Sequence, residues 1–266
     1  MGKYSKSGSG QRRGGGGGGV NTGLIAGVAA LVVAGLGGGF YFLKRDASNN
    51  QTDQSTGCLI NRDTPEAMLV LVDETDKLSK ENSERIRTHV VDKVNALPRY
   101  SRLTIVPFGG DIATPLKPIF DQCLPGRGDD AGMAEGALIL KKKYEEFTAA
   151  LDGLVDQLQE IPDSRTSPIT EQVVRAASDE VLHWQGQTRS LYLVTDGLES
   201  SIYWTKELRL KEPTQGILKG VKAEYFEVGN SKAARLQTRE LREQWKTWLT
   251  SAGADVRMNA PGYPAS

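Results

Sequence analysis

Two segments far apart in the chain, Leu69-Val70-Leu71-Val72-Asp73 and Leu191-Tyr192-Leu193-Val194-Thr195-Asp196, share one construction: a hydrophobic run that ends in an aspartate. A short apolar run bounded by polar residues reads as a strand buried on both faces of a parallel sheet. Parallel strands point the same way, so both aspartates should reach the carboxyl edge, where open α/β sheets bind ligands. Two carboxylates held together there repel each other unless a cation or a hydrogen-bond network offsets the cost. The pattern selects a fold class and a candidate site together.

Apolar spacing elsewhere alternates between the two periods. Ile86, Val90, Val91, Val94 and Leu97 share one helical face, closed by Pro98, and a second strand covers Leu103 to Phe108. A shorter strand is expected around Pro118 to Phe120, then helices over Glu135–Leu158 and Pro168–Trp184, with Pro168 at the first helical position. The strand Ser190–Thr195 follows, then a strand over Val221–Val228. A helix bearing Leu236, Leu241, Trp245, Trp248 and Leu249 and a closing strand over Ala254–Met258 complete the order. Such alternation predicts an α/β class: a doubly wound, mostly parallel sheet with helices on both faces.

The first part of the chain is different in kind. Residues 1–21 are basic and rich in Gly and Ser, with an unbroken glycine run from Gly14 to Gly19 that no Lys-Ser/Thr follows, so it is not a phosphate loop. They bury too little to offset their ordering entropy and read as a disordered tail. Residues 22–43 carry no charge and are long enough, at about 1.5 Å per residue, to cross a hydrocarbon core of about 30 Å. Phe40, Tyr41 and Phe42 would lie at the far interface, with Lys44 and Arg45 as stop residues. A cleaved signal peptide has a shorter apolar region, about 7–15 residues, so the run reads as one transmembrane helix. Residues 44–59 form a polar linker, 60–258 the α/β domain and 259–266 a C-terminal tail.

Four basic residues precede the apolar run and two follow it, which places the N-terminus in the cytoplasm and the domain outside the cell membrane. The formal net charge of +0 hides this asymmetry. Removing the six basic residues up to Arg45 leaves 27 of 33 Lys and Arg against 33 Asp and Glu, a net of −6 for the remainder. No basic nucleic-acid footprint exists there. Gly23 and Gly27, and Gly35 and Gly39, are spaced by four, a pattern that lets membrane helices pair and allows a homodimer. Cys58 and Cys123 both lie beyond the apolar run; in an oxidising compartment they are disulfide partners, in the cytosol free thiols.

Asp73-Glu74-Thr75-Asp76-Lys77 after a buried strand resembles the first metal-site loop of von Willebrand factor type A domains, which reads Asp-x-Ser-x-Ser. Val194-Thr195-Asp196-Gly197 resembles that family's later strand ending in Thr-Asp-Gly, and Ser167-Pro168-Ile169 opens a helix where the family carries its middle threonine. The likeness covers about Glu66 to Met258. It implies a Mg²⁺ or other divalent cation held by Asp73, Thr75, Ser167 (or Thr166) and Asp196, an oxygen-only shell of the kind hard cations prefer. It also implies a protein partner whose own carboxylate completes the coordination. Lys77 departs from the pattern, because an ammonium has no lone pair to offer; it can instead neutralise Asp73 or Asp196, and Ser79 can supply the missing hydroxyl from a shifted loop. A looser likeness to membrane-anchored bacterial proteins with Asp-x-Thr-Asp, Cys-x-Pro-Gly and Ser-Pro-Ile segments implies an envelope setting and supplies no activity; with the apolar run, the expected partner is another protein in a membrane or envelope complex.

Other chemistries fit the residues less well. A haloacid-dehalogenase-type phosphatase needs a second aspartate two residues after the first, where this chain has Thr75. His89 and His183 both fall in helical patterns, and no Gly-x-Ser-x-Gly elbow is present, so a nucleophile with a positioned base is not legible. Zinc is disfavoured for want of clustered Cys and His. Tyr203 and Trp204, in the loop after Asp196, are candidate partner-contact residues. Three readings remain: a binding module with no enzymatic activity, a cation-dependent hydrolase at the same edge, and an inert structural subunit. A reporter fused after Ser266 is expected to be active outside the cytoplasm; activity confined to the cytoplasm contradicts the orientation.

Overall fold

The computed structural model describes residues 51–75, 78–131, 136–157, 166–182, 184–199 and 210–263. The expected transmembrane segment, Lys77, His183, Tyr203 and Trp204 lie outside the described residues. Among the described residues no helix is long and apolar enough to cross a membrane.

Six strands form one sheet: β1 (Glu66–Asp73), β2 (Arg102–Phe108), β3 (Phe120–Cys123), β4 (Thr188–Thr195), β5 (Val221–Glu227) and β6 (Asp255–Asn259). Their spatial order is β3-β2-β1-β4-β5-β6, and every pairing is parallel except that of β2 with the short edge strand β3. This is a mostly parallel α/β fold. Among the described residues four α-helices accompany it: α1 (Lys80–Ala96), α2 (Ala137–Gln157), α3 (Ile169–Ser178) and α4 (Arg239–Ser251).

Alternation along β1 explains why its sequence is apolar throughout. Ala67, Leu69 and Leu71 join one core with α3 and α4, through Ile169, Val173, Trp245 and Leu249. Met68, Val70 and Val72 join the other with α1 and α2, through Ile86, Val90, Phe147 and Leu151. Successive side chains point to opposite faces, so a strand covered on both sides must be hydrophobic at every position.

Several local expectations change. The helix after Ser167 stops at Ser178, because the chain tightens into a 3₁₀ turn over Glu180–Leu182 before β4. Trp184 packs outside it, donating its indole N–H to the Ala67 carbonyl at 2.9 Å. Pro168 is the N-cap and Ile169 the first helical residue. Leu236 sits in a separate 3₁₀ turn, since Thr238 caps α4 by accepting from Leu241 N. The short strand begins at Phe120 and carries Cys123 at its end.

Cys58 and Cys123 are joined, with Cα atoms 4.8 Å apart. The bridge fastens residues expected as linker to the sheet edge, where Thr52 pairs with Leu59 and Cys123 N donates to Thr56 O at 2.7 Å. At the other terminus the Tyr263 hydroxyl reaches Glu243 on α4 at 2.7 Å. Replacing both cysteines by serine should cost about 4 kcal/mol for a 65-residue separation, through the freed unfolded chain. An unchanged denaturant midpoint would contradict that.

Candidate functional site

The strand order reverses direction between β1 and β4, which lie side by side although the chain runs outward from each. At such a switch point the connections leave to opposite sides and open a crevice beyond the carboxyl ends. Asp73 is the last residue of β1, and Asp196 follows the last residue of β4.

Asp73 is only 5% exposed, yet both its oxygens are occupied. Oδ1 accepts from Thr75 N at 3.0 Å and from the Thr75 hydroxyl at 2.6 Å. Oδ2 accepts from the Ser167 hydroxyl at 3.1 Å and the Thr195 hydroxyl at 2.7 Å. Burial pushes the Asp73 carboxyl above its ordinary value, against the opposing pull of these four bonds. Next to it, burial and then the charge of Asp73 raise Glu74 to about 7.

Asp196 belongs to an adjoining network. Its Oδ1 accepts from Leu198 N at 2.9 Å and its Oδ2 from Asn230 Nδ2 at 2.6 Å. Gln237 ties this loop to the end of β5, donating to Asp196 O at 3.1 Å and Val228 O at 2.8 Å. Asp73, Thr75, Ser79, Asn82, Asp196 and Asn230 line a common cleft of about 100 Å³. Gly197 turns the chain there at φ +76°, and a Cβ would come within 2.2 Å of the Tyr225 hydroxyl oxygen, so the third residue of Thr-Asp-Gly must be glycine.

The structure therefore brings Asp73, Thr75 and Ser167 into one hydrogen-bonded group and sets Asp196 across the same cleft. Thr166 turns away to donate to the Gly110 carbonyl at 3.0 Å, so Ser167 is the hydroxyl that reaches Asp73. Ser79 instead caps α1, accepting from Asn82 N at 3.1 Å. Sequence reasoning does not single out Thr195, Asn230 or Gln237. Thr195 stands in the Thr-Asp-Gly motif, and Gly229-Asn230 follows a third parallel strand ending at the same edge, which is the available signal for Asn230.

Among the described residues, no three His, Cys, Asp or Glu side chains converge as metal ligands. A cation here would rely on two carboxylates supplemented by hydroxyls. The donors fit a hard cation: all are oxygens, and the three hydroxyls that donate to Asp73 have lone pairs that can turn toward an ion.

No family model matches the sequence, and no curated protein matches it. Solved structures similar to the chain include a von Willebrand factor type A protein from Catenulispora acidiphila, at 12% identity and TM-score 0.34, over 73% of this chain and 38% of that one. Human COPII-coat protein Sec24c is similar at 13% identity and TM-score 0.35, over 76% of this chain and 31% of that one. The chain thus spans well under half the length of either protein.

A second acidic group lies behind the site. Glu199, 1% exposed, accepts from Thr170 N at the start of α3, at 2.8 Å through Oε2, while its Oε1 has no hydrogen-bond partner. The Thr170 hydroxyl donates to Glu171 at 3.0 Å, which brings the two acids to the same helix end. Burial, reinforced by the charge of Glu171, lifts Glu199 to about 8. A carboxyl raised on folding contributes stability that is complete below its unfolded value, about 4.5, and lost as pH rises through about 8. Unfolding free energy should fall across that window by up to about 1.4 kcal/mol per pH unit from this group. Glu199→Gln, which retains an acceptor for Thr170 N, should flatten the slope between those limits; an unaltered pH profile from denaturant titrations would contradict the assignment.

Proposed function

We propose that the chain is a single-pass, membrane-anchored module of the von Willebrand factor type A kind that binds another protein outside the cytoplasm. The cleft between Asp73 and Asp196 serves as its recognition edge. The supporting observation is the convergence of three separate segments, ending in Asp73, Ser167 and Thr195-Asp196, on the crevice at the topological switch point. Asp73, Thr75, Ser167 and Asp196 would hold a divalent cation, directly or through water. Bound there, the cation would offer a partner's carboxylate a positive, partly hydrated anchor. The protein's own residues position this anchor: Thr195 and Ser167 orient Asp73, while Asn230 and Gln237 fix the Asp196 loop.

One observation favours a second reading, an inert edge in a membrane assembly. Each oxygen of Asp73 already accepts two hydrogen bonds, so the network closes without an ion. A photoreactive residue at Lys232, exposed on the rim of the cleft, separates the two in cells. The recognition reading expects a discrete cross-linked partner whose yield drops to background with a chelator or with Asp196→Asn. A partner captured regardless of chelator favours the inert edge, and no adduct from this position contradicts recognition there.

A further inference from the structure

The sheet has two edges, and the chain itself closes one of them. Beyond β3, Cys123 N donates to Thr56 O at 2.7 Å, and the Cys58–Cys123 disulfide fixes that segment against the strand. β6 ends the other side. β5 lies along one of its edges, and among the described residues no strand lies along the other. After β6 the chain turns onto one face of the sheet, where Ala260 and Tyr263 pack against the core shared with α4 and the Tyr263 hydroxyl reaches Glu243. β6 pairs with β5 without a bulge from Asp255 to Asn259, and it contains no proline. A regular strand edge of this kind is a template for a further strand unless something blunts it.

The side chains of β6 show which strand fits. Ala254, Val256 and Met258 point to the core shared with α3 and α4, while Asp255 and Arg257 lie on the opposite face, both exposed. Across β5 the signs already alternate: Lys222 stands opposite Asp255, and Glu224 opposite Arg257. Glu224 also binds His89 at 2.7 Å and Lys93, so the inner side of the ladder is balanced. On the outer side, a new strand meets an acid and a base two positions apart, which is a self-complementary pair. In an antiparallel ladder between two copies centred on Val256, the two valines meet at a two-fold axis. Asp255 then faces Arg257 of the second copy, and Ala254 faces Met258, on both sides of the axis. One charged row runs Lys222, Asp255, then Arg257 and Glu224 of the second copy, with the sign changing at each step. Opposite charges directly across strands attract and like charges repel. Centring the ladder on Asp255 or on Arg257 sets like charges face to face, and a slip of one residue puts Val256 opposite a charge. The charges therefore favour one register and penalise its neighbours.

We propose that β6 is a self-association edge, through which two copies join as antiparallel strands centred on Val256 into one continuous sheet with six strands from each copy. The pairing goes beyond the proposed function and does not depend on what the Asp73 cleft binds.

The test uses the full chain in detergent micelles, with self-association read by sedimentation equilibrium. Arg257→Glu sets acid against acid on both sides of the axis, and Asp255→Lys sets base against base. Each change should weaken association by about tenfold or more, since two attractive pairs become repulsive. An equimolar mixture of the two variants restores both attractions and should associate as the parent chain does. The contacts with Lys222 and Glu224 inside each chain stay altered in the mixture, so recovery there assigns the effect to the contact between copies. A mixture no tighter than either variant overturns the proposal, as does a parent chain that stays monomeric. Association that neither variant weakens belongs to another surface and overturns it too. Val256→Cys reads the register: oxidation should link two copies of the chain, and adding Arg257→Glu should suppress the link. No linked dimer contradicts the register. A link formed in cells only to a protein of another mass assigns the edge to that protein and overturns the pairing of copies.

Discussion

The carboxylate at the end of β1 is withdrawn from water and held by hydrogen bonds from three segments distant in sequence: the loop to α1, the residue before Pro168, and the end of β4. Each such bond to a charged group contributes about 1.5–3 kcal/mol. Those bonds work against a desolvation cost large enough that burial still raises the carboxyl's affinity for its proton. An aspartate in that position is tolerable only while all the donors remain in place. The edge gathers round Asp73: Ser167 reaches it from just before α3, Thr195 from the last residue of β4, and Gly197 turns at φ +76° beside Asp196.

Much of this was legible in the sequence because the governing constraints are local. A strand buried on both faces has to be apolar at each position, so β1 and β4 announce themselves, and the aspartates that end them mark one edge. The order of strands and helices followed from the alternation of periods. The short hydroxyl motifs also located Thr75 and Ser167 correctly beside Asp73. What failed depended on tertiary context. The break after Ser178 is set by how the chain must rise into β4, and apolar residues on either side of it gave one continuous helical pattern. Asn230 and Gln237 serve the site through a single side-chain amide each, and no periodicity marks an amide that packs behind a loop.

The two ends of the sheet divide the molecule chemically. At the carboxyl edge, the carboxylates of Asp73 and Asp196 are matched with hydroxyls and amides. At the amino end, a disulfide pins the chain beside exposed Ile60, Leu138 and Ile139. Glu199, which joins the Asp196 loop to the start of α3, links two of the three edge segments from behind and adds a pH-sensitive element to their rigidity.

The claim that Asp73 fastens three segments together is tested most directly by amide hydrogen exchange on the Asp73→Ala chain. If the account is right, protection falls together in the described parts of the loop after β1, around Ser167–Thr170, and over Thr195–Glu199, while β5 and β6 keep theirs. Loss confined to the residues next to position 73, with the other two segments unchanged, would contradict it.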